Sequence, residues 1–189
     1  MLLFTALTVL GTDDKNLDEL MLKVKNSDLS ALEELYKLTK TGIYSFALSV
    51  LKNPADAEDV LHNTYLSVWV SAHMYESEGK PMAWLITIAK NHCYRVFRNR
   101  KWNDDKTDAS ETAAEDFSTA SDNKATIWEY IGLLNDDERQ IIVLHAVSGF
   151  KHREIAELLN LPLSTILSKY HRGIKKLKKS LIHGGAFNE

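Results

Sequence analysis

Apolar residues along this chain recur at intervals of three and four, and no segment sustains the apolar/polar alternation of a half-buried strand. The spacing predicts an all-α protein. Asp28 is placed to cap a helix that turns Leu32, Leu35, Ile43, Phe46, Ala47 and Val50 toward a core. Asn53-Pro54 then restarts the chain with an amide cap and a proline at the first helical position, and the new helix runs through Val60, Leu61, Thr64, Val68 and Trp69. Glu76 to Lys80 interrupts the pattern, and Pro81 opens a helix carrying Leu85, Ile88, Ala89, Tyr94 and Phe97. Periodicity resumes at Ile127, continues through Ile141, Ile142, Leu144 and Val147, and stops at Ser148-Gly149.

Between the two periodic stretches, residues 103–124 hold seven acidic side chains and one large apolar one, Phe117, too little to order the segment by burial. The expected organisation is two small helical domains joined by a flexible acidic linker. Its parts are an N-terminal extension 1–16, a first domain 17–102, the linker 103–124, a second domain 125–183 and a tail 184–189. A chain of 189 residues, 44% hydrophobic and 26% charged, has material for two modest cores.

From Phe150 to Lys179 the pattern is that of a helix-turn-helix. Ile155, Ala156 and Leu159 face inward from a short helix, Asn160-Leu161-Pro162 makes the turn, and a second helix begins at Leu163 or Ser164. In that helix Ile166, Tyr170, Ile174, Leu177 and Leu181 form one buried stripe. The opposite side presents Thr165, Ser168, Lys169, Arg172, Lys175 and Lys176: hydroxyl and guanidinium groups suited to base edges, then cations suited to phosphates. An ordinary helical hairpin with a solvated basic face has the same spacing. His171 points outward as a polar contact, since no second ligand lies at metal spacing on its face.

The net charge of −3 argues against nucleic acid until its distribution is considered. Lys151, Arg153, Lys169, Arg172, Lys175, Lys176, Lys178 and Lys179 outnumber Glu154 and Glu157 in the last module. Lys90, Arg95, Arg98, Arg100, Lys101 and Lys106 outnumber Asp104 and Asp105 at the end of the first. The sum conceals two cationic surfaces. A single cysteine, Cys93, excludes a disulfide framework and a multi-cysteine zinc site, and suits a reducing cytoplasm as a small core residue. Met1 to Leu10 is apolar but lacks the basic start and cleavage pattern of a secretory signal and is too short to span a bilayer, so no membrane insertion is expected.

Two stretches together resemble the extracytoplasmic-function sigma factors of bacterial RNA polymerase. The first is Ala55-Asp56-Ala57-Glu58-Asp59-Val60 through Val68-Trp69, followed by Ala83-Trp84-Leu85-Ile86-Thr87-Ile88-Ala89-Lys90-Asn91. It looks like region two, which in that family grips the clamp helices of the polymerase β′ subunit and melts the −10 element. The second, Phe150 to Leu177, with Glu154-Ile155-Ala156 and Ser164-Thr165-Ile166 through Tyr170-His171-Arg172-Gly173, looks like region four, which reads the −35 element as duplex.

The resemblance implies a polymerase-docking surface of Asp56, Glu58, Asp59, His62, Asn63 and Trp69, the last either anchoring the contact or closing the core. It implies −10 contacts by Lys90, Asn91, Arg95, Arg98, Arg100 and Lys101, and −35 contacts by Thr165, Leu167, Ser168, Lys169, His171, Arg172 and Lys175. The implied partners are core polymerase, through β′ clamp helices and β flap, promoter DNA and an anti-sigma factor; no cofactor or metal is implied. His62 and Asn63 stand where the family has Gln and Glu, which weakens a charge role there, and Leu167 replaces a basic residue. A leucine cannot donate to guanine but can meet a thymine methyl, so promoter preference should differ from that of relatives.

Melting needs a receptacle for an extruded base. Met74 to Pro81 supplies a loop for it, with Asn91 and Arg95 one turn apart on the helix behind, while Trp84 either stacks on a base or, given Leu85 and Ile88 beside it, joins the core. A coil of about 22 residues averages roughly 25 Å and stretches to about 75 Å, whereas the promoter elements lie roughly 50 Å apart. The modules are therefore expected to sit close together until a polymerase holds them apart.

The alternative is a stand-alone helix-turn-helix regulator, which would need a dimer interface or ligand pocket in Asp28 to Trp102; specific binding of duplex DNA without polymerase would reveal it. An enzyme is not expected: the chain has no paired Glu-x-x-His units, no glycine-rich phosphate loop and no nucleophile elbow.

Overall fold

The computed structural model describes residues 14–104 and 128–183, and every regular element among them is helical. The extension up to residue 13, most of the linker and the tail lie outside the described residues. Helix α1 spans Asp14–Lys25, α2 Leu29–Leu51, α3 Pro54–Ser71 and α4 Pro81–Asp104, with a 3-10 turn at Ala72–Met74. A helical turn at 128–132 precedes α5 (Asp136–Ala146), α6 (His152–Leu159) and α7 (Leu163–His183).

The starts and stops follow local chemistry. Asp28 accepts from the Ser30 and Ala31 amides at 2.9 and 3.2 Å, and α2 ends where Lys52 turns left-handed at φ 57°. Asn53 accepts from the Asp56 amide at 3.0 Å with Pro54 opening α3. In the second module the expected continuous helix from Ile127 to Val147 is broken at 133–135. Asn135 starts a new helix there: it accepts from the Glu138 amide at 2.9 Å while the Glu138 carboxylate reaches back to the Asn135 N–H, a capping box. Asn160, at φ 54°, takes the left-handed stop that glycine usually fills and turns the chain into α7.

In the first module α1 contributes Leu17, Leu20, Met21 and Val24, α2 contributes Leu35, Ile43, Phe46 and Ala47, α3 Ala57, Val60 and Val68, and α4 Leu85, Ile86, Ala89 and Cys93, all buried. Tyr94 and Phe97, expected to share this core, are instead 61% and 42% exposed. Ile86, Ala89, Cys93 and the half-buried Val96 set the inward stripe of α4 at intervals of three and four. Tyr94 and Phe97 fall one position later in each turn and rotate out. Burial pushes the Cys93 thiol up to about 12, so it stays a protonated core group.

The modules are in contact and their cores form one apolar cluster. Helix α5 lies against α2, where the buried Arg139 donates to the Ser49 carbonyl at 3.3 Å and Lys52 pairs with Asp136 at 2.7 Å. Lys80 pairs with Glu157 at 3.3 Å, and Lys90 donates to the Leu158 carbonyl at 2.7 Å. Gly42 sits at the seam: a Cβ there would come within 2.7 Å of Met82 Cε and 3.2 Å of Ser148 Oγ. Gly42→Leu is expected to wedge the modules apart, raising the radius of gyration in small-angle scattering while helical content is kept. An unchanged radius would refute the role given to this contact.

Candidate nucleic-acid and partner interfaces

Helix α3 turns one face into the core and leaves the other bare. Glu58, Asp59, His62, Asn63 and Trp69 are all exposed, so the structure brings five of the six expected docking residues to one outward surface. Trp69, 38% exposed, does not close the core. Three residues missed by sequence reasoning share this face: Leu66, Val70 and Met74, spaced by four and exposed by 66%, 73% and 64%. That second apolar stripe, beside the buried one, is visible in the sequence once the buried stripe is assigned. Asp56, the sixth residue, is half-buried and ion-paired with Arg100 of α4. The two were expected on different surfaces, and here their charges are spent on each other.

Helix α4 carries the second surface. Asn91, Arg95 and Arg98 are exposed along one side, joined by the exposed Tyr94. Lys90 is half-buried against α6, and the Lys101 side chain lies outside the described residues. His92 shares a hydrogen bond with Ser67 at 2.9 Å, tying α4 to α3; its burial, and then the Arg95 charge, hold its pKa below the usual imidazole value. Trp84 is half-buried with its ring edge-on to Tyr75, centroids 5.4 Å apart, so the core alternative holds for it. Between the 3-10 turn and α4 the chain forms the expected loop, with Tyr75 buried and residues 76–80 exposed.

The third surface is α7. Leu167, Ser168, His171, Arg172 and Lys175 are exposed and Thr165 is half-buried, with Ser168 donating to the Thr165 carbonyl at 3.0 Å. Lys169 is ion-paired with Asp137, Lys176 with the buried Glu138 at 2.7 Å, and Arg172 lies 3.9 Å from the same carboxylate. Gly173 is the crossing point of α7 over α5: a Cβ would come within 2.6 Å of Ile142 Cδ1, so a side chain would push the two helices apart. Behind α7, His145 and His152 stack at 4.4 Å, and Tyr170 meets both edge-on at 5.0 and 4.6 Å. Among the described residues no group of His, Cys, Asp or Glu is arranged to hold a metal ion, and no helix is long and apolar enough to cross a membrane.

Two solved structures share this arrangement. One is the sigma factor RpoE in complex with the anti-sigma factor NepR from Bartonella quintana, at 24% identity and TM-score 0.63 over 79% of this chain and 95% of that one. The other is CnrH in complex with the cytosolic domain of CnrY, at 20% identity and TM-score 0.64 over 89% and 98%. They speak to the fold alone. The families Sigma-70 region 2 and Sigma-70, region 4 match residues 35–103 and 124–177, in that order. The chain belongs to the extracytoplasmic-function sigma factors. It is 29% identical over 175 residues to ECF RNA polymerase sigma factor SigK of Mycobacterium sp. (strain KMS), covering 88% of this chain and 91% of that protein. It is 28% identical to SigK of Mycobacterium tuberculosis (strain ATCC 25618 / H37Rv), with 88% and 94% covered. As a sigma factor it directs RNA polymerase to promoters, with region two on α2 to α4 and region four on α5 to α7.

The histidines make region four pH-sensitive. Burial first, then the charges of His145 and His171, lower the His152 pKa, and His92 is lowered in the same sense. A histidine depressed in the folded state binds its proton more readily when unfolded. Stability is thus complete above the unfolded value of about 6.5 and declines as pH falls through it. The expected result is a lower melting temperature at pH 5.5 than at pH 7.5, with the difference reduced in His152→Gln. Equal melting temperatures at the two pH values would contradict it.

Proposed function

We propose that this sigma factor docks on the β′ clamp helices of core polymerase through the outer face of α3, and on the β flap through region four. Asp59, Glu58, Asn63 and His62 supply the polar contacts and Trp69 the anchor, with Leu66, Val70 and Met74 extending the apolar part. The observation that carries this reading is the coexistence of acidic and large apolar side chains, uncovered by any other helix among the described residues, on one side of a helix whose other side is core. An exposed anchor of that kind is what protein interfaces use.

In this reading Asn91, Arg95, Arg98 and Lys101 meet the −10 element, with Lys90 contributing once the modules separate and Arg100 once promoter phosphates compete with Asp56. Helix α7 enters the major groove of the −35 element with Thr165, Leu167, Ser168, Lys169, His171, Arg172 and Lys175, and Leu167 favours a thymine methyl over guanine. The protein works in the cytoplasm and contributes no catalytic group of its own. An anti-sigma factor is its proposed antagonist, in keeping with the solved RpoE, which is in complex with the anti-sigma factor NepR.

Run-off transcription from genomic fragments with core polymerase, with and without the chain, tests the whole. Asp59→Lys is expected to weaken core binding, and Arg172→Ala to weaken −35 recognition by ~1–3 kcal/mol if it meets a base. Wild-type transcription by both variants would overturn the assignments.

A further inference from the structure

The loop proposed to receive an extruded −10 base is not left loose. Its first three residues are gripped by α1, a helix that precedes the region-two match at 35–103. Asp18 accepts from both the Tyr75 hydroxyl and the Ser77 hydroxyl, one on each carboxylate oxygen. Lys25, seven residues on and so on the same flank of α1, donates to the Tyr75 carbonyl at 2.8 Å. The Tyr75 ring, 2% exposed, lies edge-on to Trp84. Burial, and then the Asp18 carboxylate with Asp14 and Glu78 adding to it, raise the Tyr75 pKa, so the hydroxyl stays protonated and donates.

The remaining part of α1 explains why this grip is firm. Leu17, Leu20, Met21 and Val24 anchor the helix in the region-two core, so Asp18 and Lys25 are presented from a fixed support. Beyond Ser77 the loop is exposed, turns at Gly79 with φ 69°, and ends at Lys80, which the closed arrangement pairs with Glu157. One end of the loop is therefore held by α1, itself packed on the region-two core, and the other by a contact that opening of the modules releases.

We propose that Asp18, assisted by Lys25, is a positioning residue for −10 recognition: it pre-orders the Tyr75–Ser77 end of the loop so that the loop presents one shape to an extruded base. The inference rests on the reading that this loop receives the base. Ordering a backbone residue only at the moment of capture costs about tenfold in affinity, and that cost falls on a base of any identity unless the loop is pre-shaped. That cost alone lowers affinity for all four bases alike; discrimination falls as well because a loop without the clasp reaches other shapes, which admit other bases.

The test uses holoenzyme reconstituted from the full chain and core polymerase. Templates carry each of the four bases at each position of the −10 element of a transcribed fragment, as duplex and as pre-melted bubble. A variant with 76–80 replaced by glycine and serine serves as the loop control. Asp18→Ala and Tyr75→Phe, which keeps the ring on Trp84 and removes the O–H, are each expected to reduce discrimination at one −10 position about tenfold. Core binding, melting temperature and −35 preference stay at wild-type values. Asp18→Asn, which keeps an acceptor oxygen, is expected to recover part of the discrimination. If D18A and Y75F both keep wild-type −10 preference while the loop control has lost it, the clasp is refuted and the base-receiving loop stands. Loss of core binding or thermal stability together with transcription in D18A also refutes it, since the role is then structural. Wild-type preference in the loop control refutes the base-receiving loop and with it the clasp.

Discussion

Glu138 and Arg139 are adjacent, oppositely charged and almost wholly shielded from water, at 1% and 6% exposure, and each finds its partners elsewhere. Charges removed from water must be met by opposite charge or by hydrogen bonds, and breaking such an arrangement costs about 3–5 kcal/mol. Glu138 is met by the Asn135 N–H, by Lys176 and, more distantly, by Arg172 of the recognition helix. Arg139 is met by the carbonyls of Ile131 and Leu134 at 3.3 and 2.7 Å and by Ser49 of region two. One dipeptide at the start of α5 therefore fixes the pose of α7 on one side and the seating of region four on region two on the other. The cap that breaks the helix at Asn135 is what points these two side chains in their separate directions.

The same geometry explains how the seated form can also be a temporary one. Apart from Arg139, the polar links across the seam are Lys52 to Asp136, Lys80 to Glu157 and Lys90 to a single carbonyl. Exposed ion pairs of this kind contribute about 0–1 kcal/mol each and weaken with salt. Region four leaves only by giving up the Arg139–Ser49 bond and the apolar contact between the modules; its departure exposes the Ser49 carbonyl at the end of α2 and releases Lys90 on α4. Among the described residues the outer face of α3 stays uncovered in the seated form, because the seam lies on α2 and α4.

The all-α class, the two-module order and the outward face of α3 were legible in the sequence because each rests on short-range spacing: a cap, a proline, an apolar period; α1 and the break at Asn135 were not expected. The outward side of α7 was legible for the same reason, since Ile166 and Tyr170 define its opposite side. What escaped depends on pairs far apart in the chain. No local pattern announces that Asp56 meets Arg100, that Lys90 meets Leu158, or that Asp18 reaches Tyr75 and Ser77 across more than fifty residues. Tyr94 and Phe97 were misjudged for a different reason: an aromatic at near-helical spacing looks like core until Cys93 shows where the inward stripe runs.

The overall charge is −3, and three of the carboxylates lie directly against cations of α4 and α7. Asp137 and Glu138 lie under the recognition helix and hold Lys169 and Lys176, while Asp56 holds Arg100. Cations held this way are poorer magnets for phosphate at large, because each DNA contact must first displace a carboxylate or share its ion. They are also pre-aimed, since a long side chain already fixed in one direction loses less freedom when it meets its phosphate. Both effects weaken stray binding more than binding at a site where several contacts form together. In the proposed reading such a site exists when polymerase presents the two promoter elements at the spacing of the two modules, and the internal carboxylates would then help confine DNA binding to the holoenzyme.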